Sequence, residues 1–246
     1  TWDKTYIIAG SRWCDQYAES FVTVKSGEIY NVFGASCGGH YSGACYEYED
    51  PDNDMCLIET KTALLEKEWY SWLAGGTQTG TSHVFIDGGR IGEIFAAGYR
   101  ANLIGTQKME DGSTRAVEMV LTGGTIGREN LCVFGGTSHG TVTGDIYVRM
   151  EGDANVISIL VGGSNAGTVI GDIVLDLISG EATMVEAAGK GWPGEIAHIE
   201  GDVWVNLYSG FRLGKGLNGG IYGGKETTNN VSIDKDNLSE TVFDAQ

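Results

Sequence analysis

The chain has 246 residues, a mass of 26.2 kDa, a formal charge of −17 and a pI near 4.5, so its field repels phosphate backbones and anionic membrane surfaces and argues against nucleic-acid binding. Its 41% apolar content excludes intrinsic disorder, and its 39 glycines, which follow no Gly-X-Y triplet, exclude collagen. No apolar run approaches the ~20 residues of a membrane-spanning helix, so no membrane insertion is expected, and Thr1-Trp2-Asp3-Lys4 carries no signal peptide, which reads as a mature product or an excised fragment.

Residues 1–76 form the least repetitive part and are expected to be an irregular N-terminal cap or insertion that also carries a first coil. Four of the five cysteines, Cys14, Cys37, Cys45 and Cys56, cluster here, which is the pattern of a disulfide-stapled cap; buried free thiols are the competing reading, and Cys132 is the one left over. No Cys-x-x-Cys is present, so a structural zinc site is not expected. Between Cys45 and Cys56 lies an acidic loop in which Asp50, Asp52, Asn53 and Asp54 offer clustered oxygens to a hard cation. Calcium is the cofactor compatible with Asp50, Asp52 and Asp54, although the loop lacks the glycine and glutamate of an EF-hand, and a solvated loop competes with the metal site. Thr62 to Leu73 follows, with Leu64, Leu65, Trp69, Trp72 and Leu73 at helical spacing. It predicts one short amphipathic helix able to cap an open solenoid end.

From residue 77 to 224 the chain repeats. The segment Val84 to Gly92 parallels Met119 to Gly127 at an offset of 35, and Phe134-Gly135-Gly136 parallels Val161-Gly162-Gly163 at 27. Three units then open with Gly144-Asp145-Ile146, Gly171-Asp172-Ile173 and Gly201-Asp202-Val203, and the glycines Gly140, Gly167 and Gly194 stand 27 positions apart. A fixed period of this length marks stacked units too small to bury an apolar face alone. Within each unit the apolar residues alternate with the two-residue period of a strand. About three short strands occur per 27-residue coil, so the predicted fold is all-β, a right-handed parallel β-helix or β-solenoid. Residues 225–246 read as a polar tail or a linker to a further coil.

Stacking the Gly-Asp units places Ile146, Val148 and Met150, Ile173, Leu175 and Leu177, and Val203, Val205 and Leu207 inside. It lines up three outward ladders, Tyr147/Val174/Trp204, Arg149/Asp176/Asn206 and Glu151/Ile178/Tyr208. Aromatic rings beside planar polar groups are what a sugar-binding surface needs, so Tyr147, Arg149, Asp176, Trp204, Asn206 and Tyr208 are the candidate ligand-binding residues of the repeat face. Scattered aromatics without a ligand are the competing reading. Asp145, Asp172 and Asp202 make a further row, either an acid pair or calcium row or, more simply, acceptors for local turn amides. His40, His83, His139 and His198 lack metal-ligand spacing, and the adjacent pairs Ser82-His83 and Ser138-His139 are wrong for a catalytic triad. No catalytic residue is assigned.

The segments GTVTGDIYVRMEG and GTVIGDIVLDLISG, with VGGS between them, resemble the glycine-rich β-strand repeats of large surface or adhesin-like proteins of Gram-positive anaerobic bacteria. The likeness covers Gly140 to Gly224, is weaker over Thr81 to Gly136 and is absent from the acidic N-terminal region. It implies an extracellular, cell-surface structural or adhesive module that meets glycans or a surface protein through its repeat face. Two alternatives stand beside it. One is a β-helical carbohydrate-active enzyme, a polysaccharide lyase or hydrolase, for which Arg149 near Asp176 is the candidate base. The other is a filament subunit that self-associates through its coil ends.

Overall fold

The computed structural model describes residues 5–12, 14–38, 76–128, 131–191 and 196–214, together with the backbone of 221–222 and 228–229. The protein is all-β, with no helix among the described residues. In chain order the strands are β1 (Tyr6–Ile8), β2 (Ser20–Val24), β3 (Glu28–Phe33), β4 (Gln78–Thr79), β5 (Ser82–Ile86) and β6 (Arg90–Phe95). Next come β7 (Leu103–Ile104), β8 (Gln107–Lys108), β9 (Thr114–Leu121), β10 (Thr125–Ile126), β11 (Val133–Phe134), β12 (Thr141–Thr143), β13 (Asp145–Met150) and β14 (Asn155–Val161). The last are β15 (Thr168–Ile170), β16 (Ile173–Glu186), β17 (Ala197–Glu200), β18 (Val203–Leu213), β19 (Ile221–Tyr222) and β20 (Thr228–Asn229).

These strands stack in three columns. The first runs β2, β5, β9, β13, then the opening half of β16 and of β18; the second runs β1, β3, β6, β10 with β11, β14, then the closing half of β16; the third runs β4, β7, β12, β15, β17, β20. Among the described strands pairing is parallel, except where β8 folds back on β9 as a short hairpin closed by Asp111-Gly112. Columns one and two join into a single 14-stranded sheet because β16 runs through both, bending at Gly180 with φ at 93°. A large parallel sheet revisited at a regular interval is consistent with a β-solenoid.

Burial explains why the columns hold. Ile146, Val148, Met150, Ile173, Leu175 and Leu177 are fully buried, and they share one core with Leu103, Val142 and Val169 of the third column and Ile91, Ile94, Val156 and Leu160 of the second. Each such side chain contributes about 1.5–3 kcal/mol when removed from water. Ile146 pairs with Ile173 and Ile173 with Val203, all facing that common interior. Parallel rungs lie ~4.8 Å apart. Two interior serines are satisfied by main chain: Ser20 Oγ and Ser82 Oγ donate to the Gly34 and Ala96 carbonyls at 2.6 and 2.7 Å.

The period is less uniform than the spacing of Gly140, Gly167 and Gly194 implies. Thr141 pairs with Thr168 at an offset of 27, but Thr168 pairs with His198, so this coil is 30 residues long and Ala197, not Gly194, succeeds Gly167. The offset of 35 is real, with Val84 on Met119 and Arg90 on Thr125. The expected helix over 62–73, together with Cys45 and Cys56, lies outside the described residues. Cys14 and Cys37 are free thiols, which corrects the expectation that they help staple a cap. Cys14 is exposed, whereas Cys37 packs among Phe33, Phe95 and Phe134, where burial pushes its thiol up to about 12.

Candidate functional site

The outer face of the first column carries two uninterrupted ladders across six rungs. One is Phe21, His83, Glu118, Tyr147, Val174, Trp204; the other is Thr23, Phe85, Val120, Arg149, Asp176, Asn206. Both expected pairings, Tyr147/Val174/Trp204 and Arg149/Asp176/Asn206, are therefore in register.

The third expected ladder is not. After Leu177 on Leu207 the register slips by one, and Ser179 lies opposite Gly210, so Glu151, Ile178 and Tyr208 do not continue as a rung. The cause is visible two residues on. Without the slip, Arg212 would stand opposite the fully buried Ala182 and point inward; with it, Arg212 stands opposite Glu181, 3.7 Å from its carboxylate, and Phe211 takes a buried place beside Gly180. Tyr208 remains on the exposed surface.

Asp176 is the centre of the face. Tyr147 donates from its hydroxyl to Asp176 Oδ2 at 2.6 Å, and Asn206 donates from Nδ2 to Oδ1 at 2.7 Å, so three successive rungs are tied through one carboxylate. Burial, with the Asp176 charge beside it, pushes the Tyr147 phenol up to about 12. The Arg115 guanidinium lies 4.6 Å from the centre of the Tyr147 ring and 3.8 Å from Glu118. Glu118 in turn lies 2.9 Å from His83 Nδ1, and His83 stacks on Phe21 at 4.5 Å. Exposed aromatics mark both ends of this chain of contacts: Phe21 is 63% and Trp204 47% accessible. They are five rungs, or roughly 24 Å, apart.

Arg149 plays another part from the one expected. It donates to Glu151 Oε2 from Nε at 3.0 Å and from Nη2 at 2.7 Å, and this pairing holds the guanidinium charged. An arginine held as an ion pair is a poor base, which removes the reason for pairing it with Asp176 in a lyase mechanism. Sequence reasoning missed Phe21, His83, Arg115 and Glu118; the offset of 35 that aligns His83 with Glu118 is the signal that finds the last pair.

The aspartate row is used in an unexpected way. Asp145 Oδ1 accepts the amide of Asp172 at 2.8 Å, and Asp172 Oδ1 accepts the amide of Asp202 at 2.9 Å. Asp145 and Asp172 each satisfy the next coil instead of their own turn, so these two are a structural tie between rungs. Asp50, Asp52 and Asp54 lie outside the described residues. Among the described residues no three His, Cys, Asp or Glu side chains converge as metal ligands, and no helix is long and apolar enough to cross a membrane. Ser138 Oγ and His139 Nδ1 are 2.7 Å apart, a contact between chain neighbours beside the buried Thr137.

A second concentration of chemistry sits on the outer side of the second column, which is also buried. Phe33, Phe95 and Phe134 stack there, with Tyr99 against the first two. In the adjacent ladder Asn31 pairs with Glu93, and Cys132 follows on the next rung. Asn31 Nδ2 donates to Glu93 Oε2 at 2.7 Å, and Lys190 Nζ donates to Cys132 Sγ at 3.2 Å. Burial pushes the Glu93 carboxyl up to about 7 against the lowering effects of Asn31 and Lys190, and burial likewise raises the Cys132 thiol against the Lys190 charge.

Replacing Asp176 with alanine removes both inter-rung side-chain bonds at once and leaves the Tyr147 hydroxyl without its acceptor. We expect a loss of about 1–2 kcal/mol, half-exposed as the group is, read as a fall of about 2–8 °C in Tm. A melting temperature unchanged from wild type would mean that the Tyr147–Asp176–Asn206 tie adds nothing to the stack.

No protein-family model matches this chain, and comparison with curated proteins and with solved structures found no match.

Proposed function

We propose that this chain is a right-handed parallel β-helix serving as an extracellular structural or adhesive module, of the adhesin-like kind its glycine-rich repeats resemble, and that it binds glycan through the outer face of its first column. The observation that carries the reading is the Tyr147–Asp176–Asn206 network lying beside the exposed Trp204 and Tyr208. A sugar ring presents an apolar face and a rim of hydroxyls, so it is recognised by an open aromatic ring next to fixed donors and acceptors. Here the donors and acceptors are held by neighbouring rungs before any ligand arrives, which lowers the ordering cost of binding. A charge of −17 favours neutral glycans over acidic ones.

The test is a glycan array probed with the whole chain, with and without calcium, followed by titration of the best binder. Replacing Trp204 with alanine should weaken that binding about tenfold, equivalent to about 1.4 kcal/mol. Retention of full affinity in the Trp204 variant would move the site off this face. Release of reducing or unsaturated ends from the bound glycan would favour an enzyme over an adhesive module.

A further inference from the structure

The Cys132 and Lys190 side chains occupy the buried outer layer of the second column, on segments 58 residues apart in sequence. Cys132 immediately precedes β11 and Lys190 follows β16, while β14 lies between those strands. Their reactive atoms already touch, Nζ to Sγ at 3.2 Å, and neither side chain is open to bulk water. Glu93 stands one rung from Cys132 in the same ladder, the Ile94 amide donating to the Cys132 carbonyl at 3.3 Å. A thiol, an amine and a proton-accepting carboxyl are thus gathered in one water-poor place, on a layer that no part of the glycan-binding reading uses.

We propose that Cys132 and Lys190 are the two halves of a reversible oxidative cross-link, a sulfenamide in which Sγ is bonded to Nζ. The oxidant is a small peroxide such as hydrogen peroxide. The Cys132 sulfur attacks one peroxide oxygen, the O–O bond breaks, and sulfenic acid and water are formed; sulfur loses two electrons and the peroxide gains them. Lys190, having passed its ammonium proton to Glu93, attacks the sulfenic sulfur as the neutral amine. The S–N bond forms as the S–O bond breaks, the attacking nitrogen gives one of its two protons to the departing hydroxyl, which leaves as water, and Glu93 keeps the proton it took from the ammonium. One thiol, one amine and one peroxide give one S–N link and two waters.

Two features favour this outcome over further oxidation of the sulfur. The amine is in contact with the sulfur before the sulfenic acid forms, so capture is intramolecular and outruns a second encounter with peroxide. Burial also keeps water from the product. The bond would tie the rung of β11 to the segment after β16 across β14, closing a long loop and restricting the unfolded chain. Reduction by an external thiol would open it.

The experiment treats the whole, fully reduced chain with hydrogen peroxide, blocks remaining thiols, digests with trypsin and sequences the peptides by mass spectrometry. The expected product is one linked pair containing Cys132 and Lys190, lighter by two hydrogen atoms than the separate peptides and restored by dithiothreitol. Sequencing distinguishes it from any disulfide, which has the same mass loss. The pair should fall to background in Cys132→Ser and in Lys190→Arg, the latter keeping the positive charge and the hydrogen bond to sulfur. Recovery of Cys132 from the wild type solely as thiol, sulfinic acid, sulfonic acid or disulfide overturns the proposal, and that result needs no variant to fold.

Discussion

Replacing Gly171 with valine should destabilise the fold by about 4 kcal/mol, from strain at a left-handed backbone position and from overpacking against main chain that cannot retreat. Gly171 has φ at 148°, and a Cβ added there would stand 2.5 Å from the Gly144 carbonyl carbon, 2.6 Å from its oxygen and 2.9 Å from Asp145 Oδ1. Gly144 is itself at φ 113° and would meet the Thr114 carbonyl, while Gly201 would meet that of Gly171. The corner between third and first columns is therefore a stack of backbones in contact, and the repeated Gly-Asp is its signature: glycine permits the approach and aspartate ties it to the next rung. Gly112 separates the two causes, because its φ of 89° also disfavours a side chain but nothing lies within 4 Å of an added Cβ. Valine at Gly112 should cost only the conformational part, about 1–2 kcal/mol. Urea unfolding of both variants measures the difference. Equal losses would show that the stacked corner contributes nothing.

The alternation of apolar residues from Ile146 to Leu177 made the inward side readable, and the Gly-Asp register made two of the outward ladders readable, because a half-buried parallel stack writes its period directly into the chain. Three things were not legible for distinct reasons. The slip after Leu177 depends on where Arg212 can go, which the matching Leu-Ile-Ser-Gly and Leu-Tyr-Ser-Gly segments conceal. The coil of 30 residues stands in the spacing from Gly171-Asp172 to Gly201-Asp202, but Gly194, which keeps the 27-residue interval without being the structural successor of Gly167, masks it. The outer layer of the second column breaks the rule of inward apolar and outward polar altogether: Phe33, Phe95 and Phe134 point away from the main core and are buried nonetheless. There the informative residues were the polar members of an apolar run, Asn31 and Glu93, and only the cross-strand register brings them together.

That layer also predicts how stability depends on pH. Glu93 titrates at about 7 in the folded chain against an ordinary value of 4.5, chiefly through burial. Below pH 4.5 the carboxyl is neutral in folded and unfolded chains alike and costs nothing. Between 4.5 and 7 the unfolded chain has released the proton that the folded chain keeps, so the folded state binds more protons and stability falls as pH rises. Above 7 both forms are ionised and the loss levels off at about 3 kcal/mol, from a shift of about 2.5 pH units at 1.36 kcal/mol each. Other carboxylates superimpose their own slopes, so the measurement is a difference: urea unfolding of wild type and Glu93→Gln at each pH. Glutamine keeps the shape and can still face the Asn31 amide at 2.7 Å, but does not titrate. The wild-type value minus the variant value should decline from pH 4.5 to 7 and then stay flat. A difference that is constant across this window, or that grows with pH, would mean that the carboxylate is ionised and well paired in the folded chain, with the Lys190 charge outweighing the cost of burial.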